Sequence, residues 1–210
     1  MGAETSVSNS LLSHARSIST TDGHAAKLPV LLVVSLLDKL SFREKHDHLI
    51  LAGDLVSKGP FSASVIDLAS SMQASCVRGN HEDRLLLNYN DIHSQVLSLP
   101  PSGKPLNPPK SSNADDLELA RSLTKKQIDF LASCPVILRI GEVRGMGEVS
   151  VVHAGLIPGV ELERQDPLAV MSMRTVDLDT HVPSRSTDGT PWTKVSGLDS
   201  PCGSRKNAPG

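Results

Sequence analysis

Three short stretches of this chain each place metal-capable side chains directly after an apolar run, and their spacing strongly constrains the fold. The stretches are residues 49–60, 77–82 and 149–155. The carboxyl ends of parallel strands meet along one edge of an open α/β sheet, so residues that follow successive strands converge there. The side chains predicted to share this rim are those of Asp54, Asn80, His81 and His153. Carboxylate oxygens, amide oxygens and neutral imidazoles all bind divalent metal ions.

The chain between the first two stretches has the pattern of a strand–helix–strand unit. Residues 48–52 and 74–77 are predicted as short strands, and residues 62–72 as the helix between them. A parallel crossover of this kind is right-handed. Residues 82–97 are predicted as the helix that follows the second strand.

Two local signals organise the second half of the chain. Thr124 is predicted to cap the next helix, with Gln127 reaching back to complete a capping box. Residues 136–140 and 149–152 are predicted as the two strands of a hairpin that leads to His153.

The three stretches resemble the signatures of one enzyme family. Gly-Asp at 53–54 with Lys-Gly-Pro at 58–60, Gly-Asn-His-Glu at 79–82 and His-Ala-Gly at 153–155 are similar to the second, third and fourth signatures of the calcineurin-like metallophosphoesterases. The Ser-Lys pair at 57–58 resembles the branch of bacterial diadenosine tetraphosphatase, in which Lys-Gly-Pro replaces the Asp-Arg-Gly of Ser/Thr protein phosphatases. The resemblance implies an α/β fold of layered β-sheets with flanking helices.

The same resemblance assigns a role to each residue of the rim. Asp54 would bridge two divalent metal ions (Mn, Fe or Zn), and Asn80 and His153 would be ligands of the second ion. His81 would be the general acid that protonates the leaving oxygen, and Glu82 would orient it.

Three cationic side chains suit a polyanionic substrate, and each has a plainer alternative. Lys58 is either a phosphate-binding residue or a solvated loop charge, and Arg78 either binds substrate or pairs with Glu82 or Asp83. Arg174 lies in a segment that resembles the substrate-facing part of the family. It would clamp a phosphate with its bidentate guanidinium, or lie in solvent at a helix end.

The sequence also departs from the family, so we expect the fold to be incomplete. The first family signature, Gly-Asp-x-His-Gly after the first strand, is absent. Asp22 and His24 are the nearest candidates, but they precede the apolar run at residues 28–34, which is predicted as the first strand and continues into a helix at residues 35–42. The last metal ligand of the family is not found either. His181 is a candidate substitute, but its surroundings fit a substrate-side loop better.

The predicted chemistry is metal-assisted hydrolysis of a phosphoester or phosphoanhydride by in-line attack of water. The Lys-Gly-Pro variant favours small phosphoanhydrides, such as dinucleoside polyphosphates or inorganic polyphosphate, with Ser/Thr phosphoproteins as the second substrate class. The missing signatures keep a different class open, a catalytically weakened form that acts without hydrolysis. A nucleotide-binding dehydrogenase is disfavoured, because no Gly-x-Gly-x-x-Gly motif follows a strand.

Composition favours one globular domain with distinct ends. We expect a flexible arm at residues 1–27, a partial phosphoesterase domain at residues 28–195 with a Pro-rich insert near residues 99–112, and a flexible tail at residues 196–210. Aromatic residues make up only 2% of the chain, so the core is expected to consist of Leu, Val and Ile.

Charge, hydropathy and cysteine spacing exclude several other classes. A net charge of -2 argues against a general nucleic-acid surface, and no apolar stretch has the length of a membrane helix, so the cytoplasm is the expected compartment. The three cysteines, Cys76, Cys134 and Cys202, have no C-x-x-C spacing. A disulfide framework or zinc ribbon is therefore not expected, and Cys76 is predicted to be a small buried apolar residue.

Overall fold

A computed structural model describes residues 28–59, 61–97 and 114–194. The arm predicted at residues 1–27 and the tail predicted at residues 196–210 lie outside the described residues, as does most of the predicted Pro-rich insert.

The first half of the described chain contains the predicted strand–helix–strand unit. Its elements are α1 (Leu28–Lys39), β1 (Ile50–Leu51), α2 (Ser62–Ser71), β2 (Ser75–Cys76) and α3 (Asn80–Leu97). Strands β1 and β2 are parallel, with Ile50 opposite Ser75 and Leu51 opposite Cys76. The predicted crossover is therefore confirmed, with strands shorter than the sequence suggested.

The second half contains the predicted hairpin and a further small sheet. Its elements are α4 (Ala114–Ser122), α5 (Lys125–Ser133), β3 (Ile137–Val143), β4 (Gly147–Val152), α6 (Pro167–Ser172), β5 (Thr175–Val176), β6 (Pro183–Ser184) and β7 (Thr190–Pro191), with 3-10 turns at Leu162–Arg164 and Trp192–Lys194. Strands β3 and β4 are antiparallel, with an irregular register between Arg139 and Gly141. Strand β5 pairs with both β6 and β7, again antiparallel.

The apolar run at residues 28–34 is helical, so the prediction that it forms the first strand is wrong. Helix α1 begins at Leu28 and continues without a break through Lys39. Val34 and Leu37 are 1% and 4% exposed, whereas Leu36 and Leu40 are 56% and 68% exposed. Val34 and Leu37 are three residues apart, so they lie on one face of the helix, and that face is buried. A short apolar run does not by itself distinguish a strand from a helix of this kind.

The main core is aliphatic, as the scarcity of aromatic residues predicted. It joins helices α2 to α5 to the loop after β1, and its buried members are Val56, Ile66, Leu85, Leu86, Ala120, Leu123, Ile128 and Leu131. Full burial of one such side chain contributes about 1.5–3 kcal/mol. Val56 is fully buried and lies two residues after Asp54, so the core fixes the loop that carries this carboxylate.

The predicted capping box is present at the start of α5. The Thr124 hydroxyl oxygen accepts from the Gln127 backbone N–H, and the Thr124 backbone N–H donates to Gln127 Oε1 at 2.9 Å. Gln127 Nε2 also donates to Asp67 Oδ1 at 3.0 Å, which ties α5 to α2.

Across residues 28–97 and 114–194, no described helix is long and apolar enough to cross a membrane.

A disulfide joins Cys76 to Cys134, whereas the cysteine spacing led us to expect no disulfide framework. Cys76 is buried as predicted. The segment after β2 lies against the segment after α5, because the Arg78 N–H donates to Pro135 O at 2.8 Å. The two cysteines are 58 residues apart, and their spacing alone does not reveal this proximity. Disulfides are typical of oxidising compartments, and the cytoplasmic location stays a prediction.

Replacing both Cys76 and Cys134 by Ala should lower the free energy of unfolding by about 4 kcal/mol, because the bond closes a long loop in the unfolded chain. Urea unfolding under non-reducing conditions measures this loss. Cys202→Ala is the control and should leave the midpoint unchanged. Equal midpoints for the double variant and the parent chain would contradict the bond.

Candidate active site

The Asp54 carboxylate lies at the centre of a cluster of basic side chains. Lys58 Nζ is 3.0 Å from Asp54 Oδ2, and His81 Nε2 is 4.0 Å from the same oxygen. His153 Nε2 lies 3.2 Å from the other oxygen, Oδ1. The structure thus brings together residues from the loop after β1, the start of α3 and the end of β4.

Glycines allow the three segments to approach this closely. A Cβ atom on Gly79 would lie 2.7 Å from Asp54 Oδ1, and one on Gly53 would lie 2.7 Å from His153 Nδ1 and 2.9 Å from the Gly79 nitrogen. Gly53 has φ +85° and Asp54 has φ +57°, so this turn is left-handed at two consecutive residues. Such a conformation costs free energy at a non-glycine residue and persists only where its surroundings hold it.

The carboxylate of Glu82 holds the turn at Gly53 and Asp54 in this conformation. Its Oε1 accepts from the backbone N–H groups of Leu55 and Val56 at 2.6 and 3.1 Å. Its Oε2 accepts from those of Asp54 and Gly79 at 2.8 and 2.9 Å. Glu82 is fully buried, and these four donors compensate the cost of burying its charge.

The prediction that Glu82 orients His81 is therefore wrong, because both of its oxygens accept backbone N–H groups of the two ligand loops. Helix α3 also begins at Asn80, two residues before the predicted start. The bond from Gly79 N–H to Glu82 Oε2 satisfies a donor that precedes the helix. Asn80 and His81 consequently lie in the first turn of α3, where His81 Nε2 faces the Asp54 carboxylate.

His153 has a defined tautomer. Its Nδ1 lies 2.7 Å from the Ala52 carbonyl oxygen, which only accepts, so Nδ1 carries a proton. In the neutral ring the lone pair is then on Nε2, the atom that faces Asp54 Oδ1. A backbone carbonyl that orients an imidazole in this way is typical of histidines that bind metal ions.

Asp54 Oδ1 is a buried acceptor without a hydrogen bond. It lies within ion-pair distance of His153 Nε2, but the geometry is not that of a hydrogen bond. Two ligands of one ion, with bonds of about 2.1 Å, lie roughly 3.0–3.4 Å apart. The observed separation of 3.2 Å fits that range. Asp54 and His153 therefore suit a shared divalent ion, although the described ranges contain no cluster of three His, Cys, Asp or Glu ligands.

The site shifts the pKa of two of its groups. Burial raises the pKa of Asp54, but the hydrogen bond from Lys58 and the nearby His153 and His81 outweigh it, and the net pKa lies below the usual value. Burial lowers the pKa of His81, and the charges of Arg84 and Lys58 lower it further, against the opposing effects of Asp54 and Glu82. The folded state therefore favours an ionised Asp54 and a neutral His81.

The predicted substrate-binding cations have different environments. Arg78 donates to Ala132 O at 2.9 Å and lies 3.8 Å from Asp83, so the pairing alternative describes its position. Arg174 is exposed, and its backbone bonds to Ser184 and Trp192. The Trp192 ring in turn occupies the space over Gly155, at the turn that follows His153. Lys58 alone contacts the central carboxylate among the three.

His181, the candidate substitute for the last metal ligand, does not enter the cluster. His181 is exposed, and its Nδ1 lies 3.9 Å from where a Gly159 Cβ would be. Asp22 and His24 lie outside the described residues.

Sequence reasoning missed a second group of polar residues beside the site. Arg84 NH2 lies 3.2 Å from His81 Nδ1, and Arg84 Nε lies 2.7 Å from Asp116 Oδ2. The Ser57 hydroxyl donates to Asp116 Oδ1 at 2.9 Å. Asp116 belongs to α4 and is 59 residues from Ser57, so only the packing of α4 on α3 reveals the contact.

Comparison with known proteins shows the family of the chain. The protein-family model for calcineurin-like phosphoesterases matches residues 21–199. The chain belongs to the calcineurin-like phosphoesterase family. The family and the α/β fold expected from the sequence are thereby confirmed, and the family is one of hydrolases that use divalent metal ions.

Relatives within the family carry related names. The symmetrical bis(5'-nucleosyl)-tetraphosphatase of Neisseria meningitidis is 27% identical over 137 residues, 65% of this chain and 43% of that protein. The enzyme of the same name from Pseudomonas putida is 30% identical over 150 residues, 70% of this chain and 46% of that protein. A crystal structure of a candidate diadenosine tetraphosphatase has a TM-score of 0.61 and 28% identity, covering 78% of this chain and 63% of that one. This chain of the calcineurin-like phosphoesterase family thus spans less than half the length of these two curated relatives.

Glu82→Gln should lower the free energy of unfolding by about 3 kcal/mol, because an amide NH2 would face backbone N–H donors that now share a carboxylate. Asp83→Asn is the matched control on the same helix. Its partly exposed carboxylate lies 3.8 Å from Arg78, and its loss should cost about 1 kcal/mol or less. Urea unfolding of both variants measures the difference in free energy of unfolding. Equal losses of stability would contradict the role of Glu82 in holding the two loops together.

Proposed function

We propose that this calcineurin-like phosphoesterase chain hydrolyses phosphoanhydride bonds in a small polyphosphorylated substrate, with a divalent metal ion. The observation that supports the proposal is the pairing of Asp54 Oδ1, a buried acceptor without a hydrogen bond, with the His153 Nε2 lone pair at 3.2 Å. Two electron-pair donors that face each other at this distance suit a shared cation.

Asp54, Asn80 and His153 would hold the ion. When bound, the ion would polarise a phosphoryl oxygen and lower the pKa of a water molecule. Glu82 keeps the two ligand loops at a fixed separation before any ion or substrate arrives. This preorganisation reduces the rearrangement that binding would require.

The remaining side chains would act on the substrate. Lys58 is 59% exposed at its side chain while its Nζ lies at the central carboxylate, so it is placed to move to a phosphoryl oxygen. His81 directs Nε2 toward the same carboxylate and would serve the leaving oxygen. Arg174, exposed near Trp192, would bind a more distant phosphate, and Arg78 would contribute mainly positive charge.

Dinucleoside polyphosphates are the substrate class that we favour. The names of the relatives from Neisseria meningitidis and Pseudomonas putida support it, as does the Lys-Gly-Pro run at residues 58–60. Inorganic polyphosphate carries the same bond, and Ser/Thr phosphoproteins are the runner-up.

The second candidate is a catalytically weakened form of the enzyme. It is favoured by the absence of the Gly-Asp-x-His-Gly signature from the sequence and by the helical conformation of the run that we predicted as the first strand.

The chain should bind one Mn²⁺ ion weakly rather than two tightly, because the first-signature ligands are absent. Equilibrium dialysis followed by elemental analysis gives the stoichiometry. Asp54→Asn and His153→Gln should each weaken binding roughly tenfold or more. Asp47→Asn, which removes an exposed carboxylate paired with Arg43, is the control. Two tightly held equivalents would contradict this expectation and favour Asp22 and His24 as ligands.

Hydrolysis of diadenosine tetraphosphate should be slow but metal-dependent. Chelation should abolish it, and Asp54→Asn should reduce it by about 100-fold, whereas Asp47→Asn should not change it. Chromatographic detection of released nucleotides measures the rate. Absence of metal-dependent turnover would favour the non-enzymatic form. Fast turnover that His81→Ala abolishes would instead show a complete site.

A further inference from the structure

Arg84 is a further cationic side chain at the edge of the site. It belongs to helix α3, close to one turn after His81, and its NH2 lies 3.2 Å from His81 Nδ1. The other nitrogen of that ring, His81 Nε2, lies 4.0 Å from Asp54 Oδ2. The Arg84 guanidinium and the central carboxylate therefore lie on opposite sides of one imidazole ring.

One edge of the Arg84 guanidinium is held by a buried carboxylate. Its Nε is buried and lies 2.7 Å from Asp116 Oδ2, a close charge contact without hydrogen-bond geometry. The Asp116 side chain is 6% exposed, and its second oxygen accepts from the Ser57 hydroxyl at 2.9 Å. Asp116 therefore anchors both Arg84 and the loop that carries Asp54.

The rest of the Arg84 side chain is open to a dissolved anion, because the side chain as a whole is 42% exposed. A guanidinium is planar, so a contact along one edge also orients its remaining N–H donors. Orienting a binding group in advance lowers the entropy that is lost when a ligand binds. Arg84 thus combines an anchored edge with an accessible one.

The other arginine near the start of α3, Arg78, is bound elsewhere. Its NH2 donates to Ala132 O at 2.9 Å, and its NH1 lies 3.8 Å from Asp83 Oδ1. Its side chain is 25% exposed, compared with 42% for Arg84. Of these two arginines, Arg84 is the one that contacts His81 and stays accessible.

We propose that Arg84 is a substrate-binding residue that contacts the leaving phosphate of a phosphoanhydride, and that Asp116 is the residue that positions it. The inference rests on the proposed function for the reaction itself. In that function His81 serves the leaving oxygen, and Arg84 lies on the side of His81 away from Asp54. The phosphate that carries the leaving oxygen then has its other oxygens next to the Arg84 N–H donors. A guanidinium fork matches the geometry of such a phosphate.

The negative charge of the leaving phosphate grows during hydrolysis. The water oxygen forms a bond to the attacked phosphorus, and the bridging P–O bond breaks. The electron pair of that bond stays on the leaving phosphate, and the protons of the water pass to the products and the solvent. A cation already in place stabilises this charge as it develops. A phenol leaving group carries no phosphate, so Arg84 would favour substrates with at least two adjoining phosphates.

Binding of a non-hydrolysable phosphate pair tests the contact without turnover. Isothermal titration calorimetry on the full chain, at a fixed concentration of free Mn²⁺, compares imidodiphosphate with orthophosphate. Arg84→Met should weaken imidodiphosphate binding roughly tenfold or more, and orthophosphate binding by about twofold or less. Arg43→Met removes a guanidinium from an exposed pair and should change neither affinity. An equal loss for the two ligands, or no loss for imidodiphosphate, would overturn the proposal.

A double-mutant cycle separates positioning by Asp116 from a general loss of stability. Asp116→Asn keeps an oxygen for the Ser57 hydroxyl but removes the charge that holds Arg84. It should weaken imidodiphosphate binding in the parent chain but cause no further loss in Arg84→Met. A further loss in the double variant would contradict the positioning role.

The double variant also guards against unfolding. Arg84→Met alone leaves the buried Asp116 carboxylate without its counter-charge, which destabilises a folded chain. If Arg84→Met does not fold, comparison of the double variant with Asp116→Asn gives the contribution of Arg84 to imidodiphosphate binding. Equal affinities of these two variants would fit positioning only if Asp116→Asn binds imidodiphosphate as weakly as expected for loss of Arg84, and would otherwise overturn the contact.

Turnover separates this inference from the proposed function. Arg84→Met should lower kcat/KM for diadenosine tetraphosphate relative to that for p-nitrophenyl phosphate roughly tenfold or more. An unchanged ratio would overturn the contact with the leaving phosphate. Absence of hydrolysis by the parent chain would overturn the proposed function together with that contact, whereas the calorimetry decides independently whether Arg84 binds a second phosphate.

Discussion

The carboxylate of Glu82 is the interaction on which the site depends. Four backbone N–H groups from two loops converge on its two oxygens in the interior. A backbone turn that is left-handed at Asp54 would relax if these donors were released, and Asp54 would then move away from His153. The charge of Glu82 thus maintains a geometry in which it takes no direct chemical part.

The sequence predicted the parts of this fold that are local in the chain. The crossover from β1 to β2, the Thr124 capping box and the hairpin before His153 follow from apolar periodicity, turn residues and cap spacing. These local signals need only neighbouring residues, so one sequence contains them. The convergence of Asp54 and His153 was predicted from a shared sheet edge and from the resemblance to the calcineurin-like phosphoesterases, but β4 pairs with β3 in a sheet separate from that of β1 and β2, so only the resemblance accounts for it.

The features that the sequence did not predict depend on distant contacts. The apolar run at residues 28–34 was predicted as a strand because seven apolar residues fit the period of a strand or of a helix. Only the burial of one face of α1 decides between them. The Cys76 disulfide and the Asp116 anchor each join segments about 58 residues apart through the packing of α3, α4 and α5. The role of Glu82 was missed because no motif records which backbone groups a buried carboxylate accepts.

The Cys76–Cys134 bond gives the molecule a closed covalent ring. His81, Arg84 and Asp116 lie on the ring, while Asp54 and His153 lie on the two chains that leave it. A protease that cut once between the cysteines, for example in the Pro-rich segment near residues 99–112, would open the ring without releasing a fragment. The nicked protein would keep its mass on a non-reducing gel and separate into two pieces only after reduction.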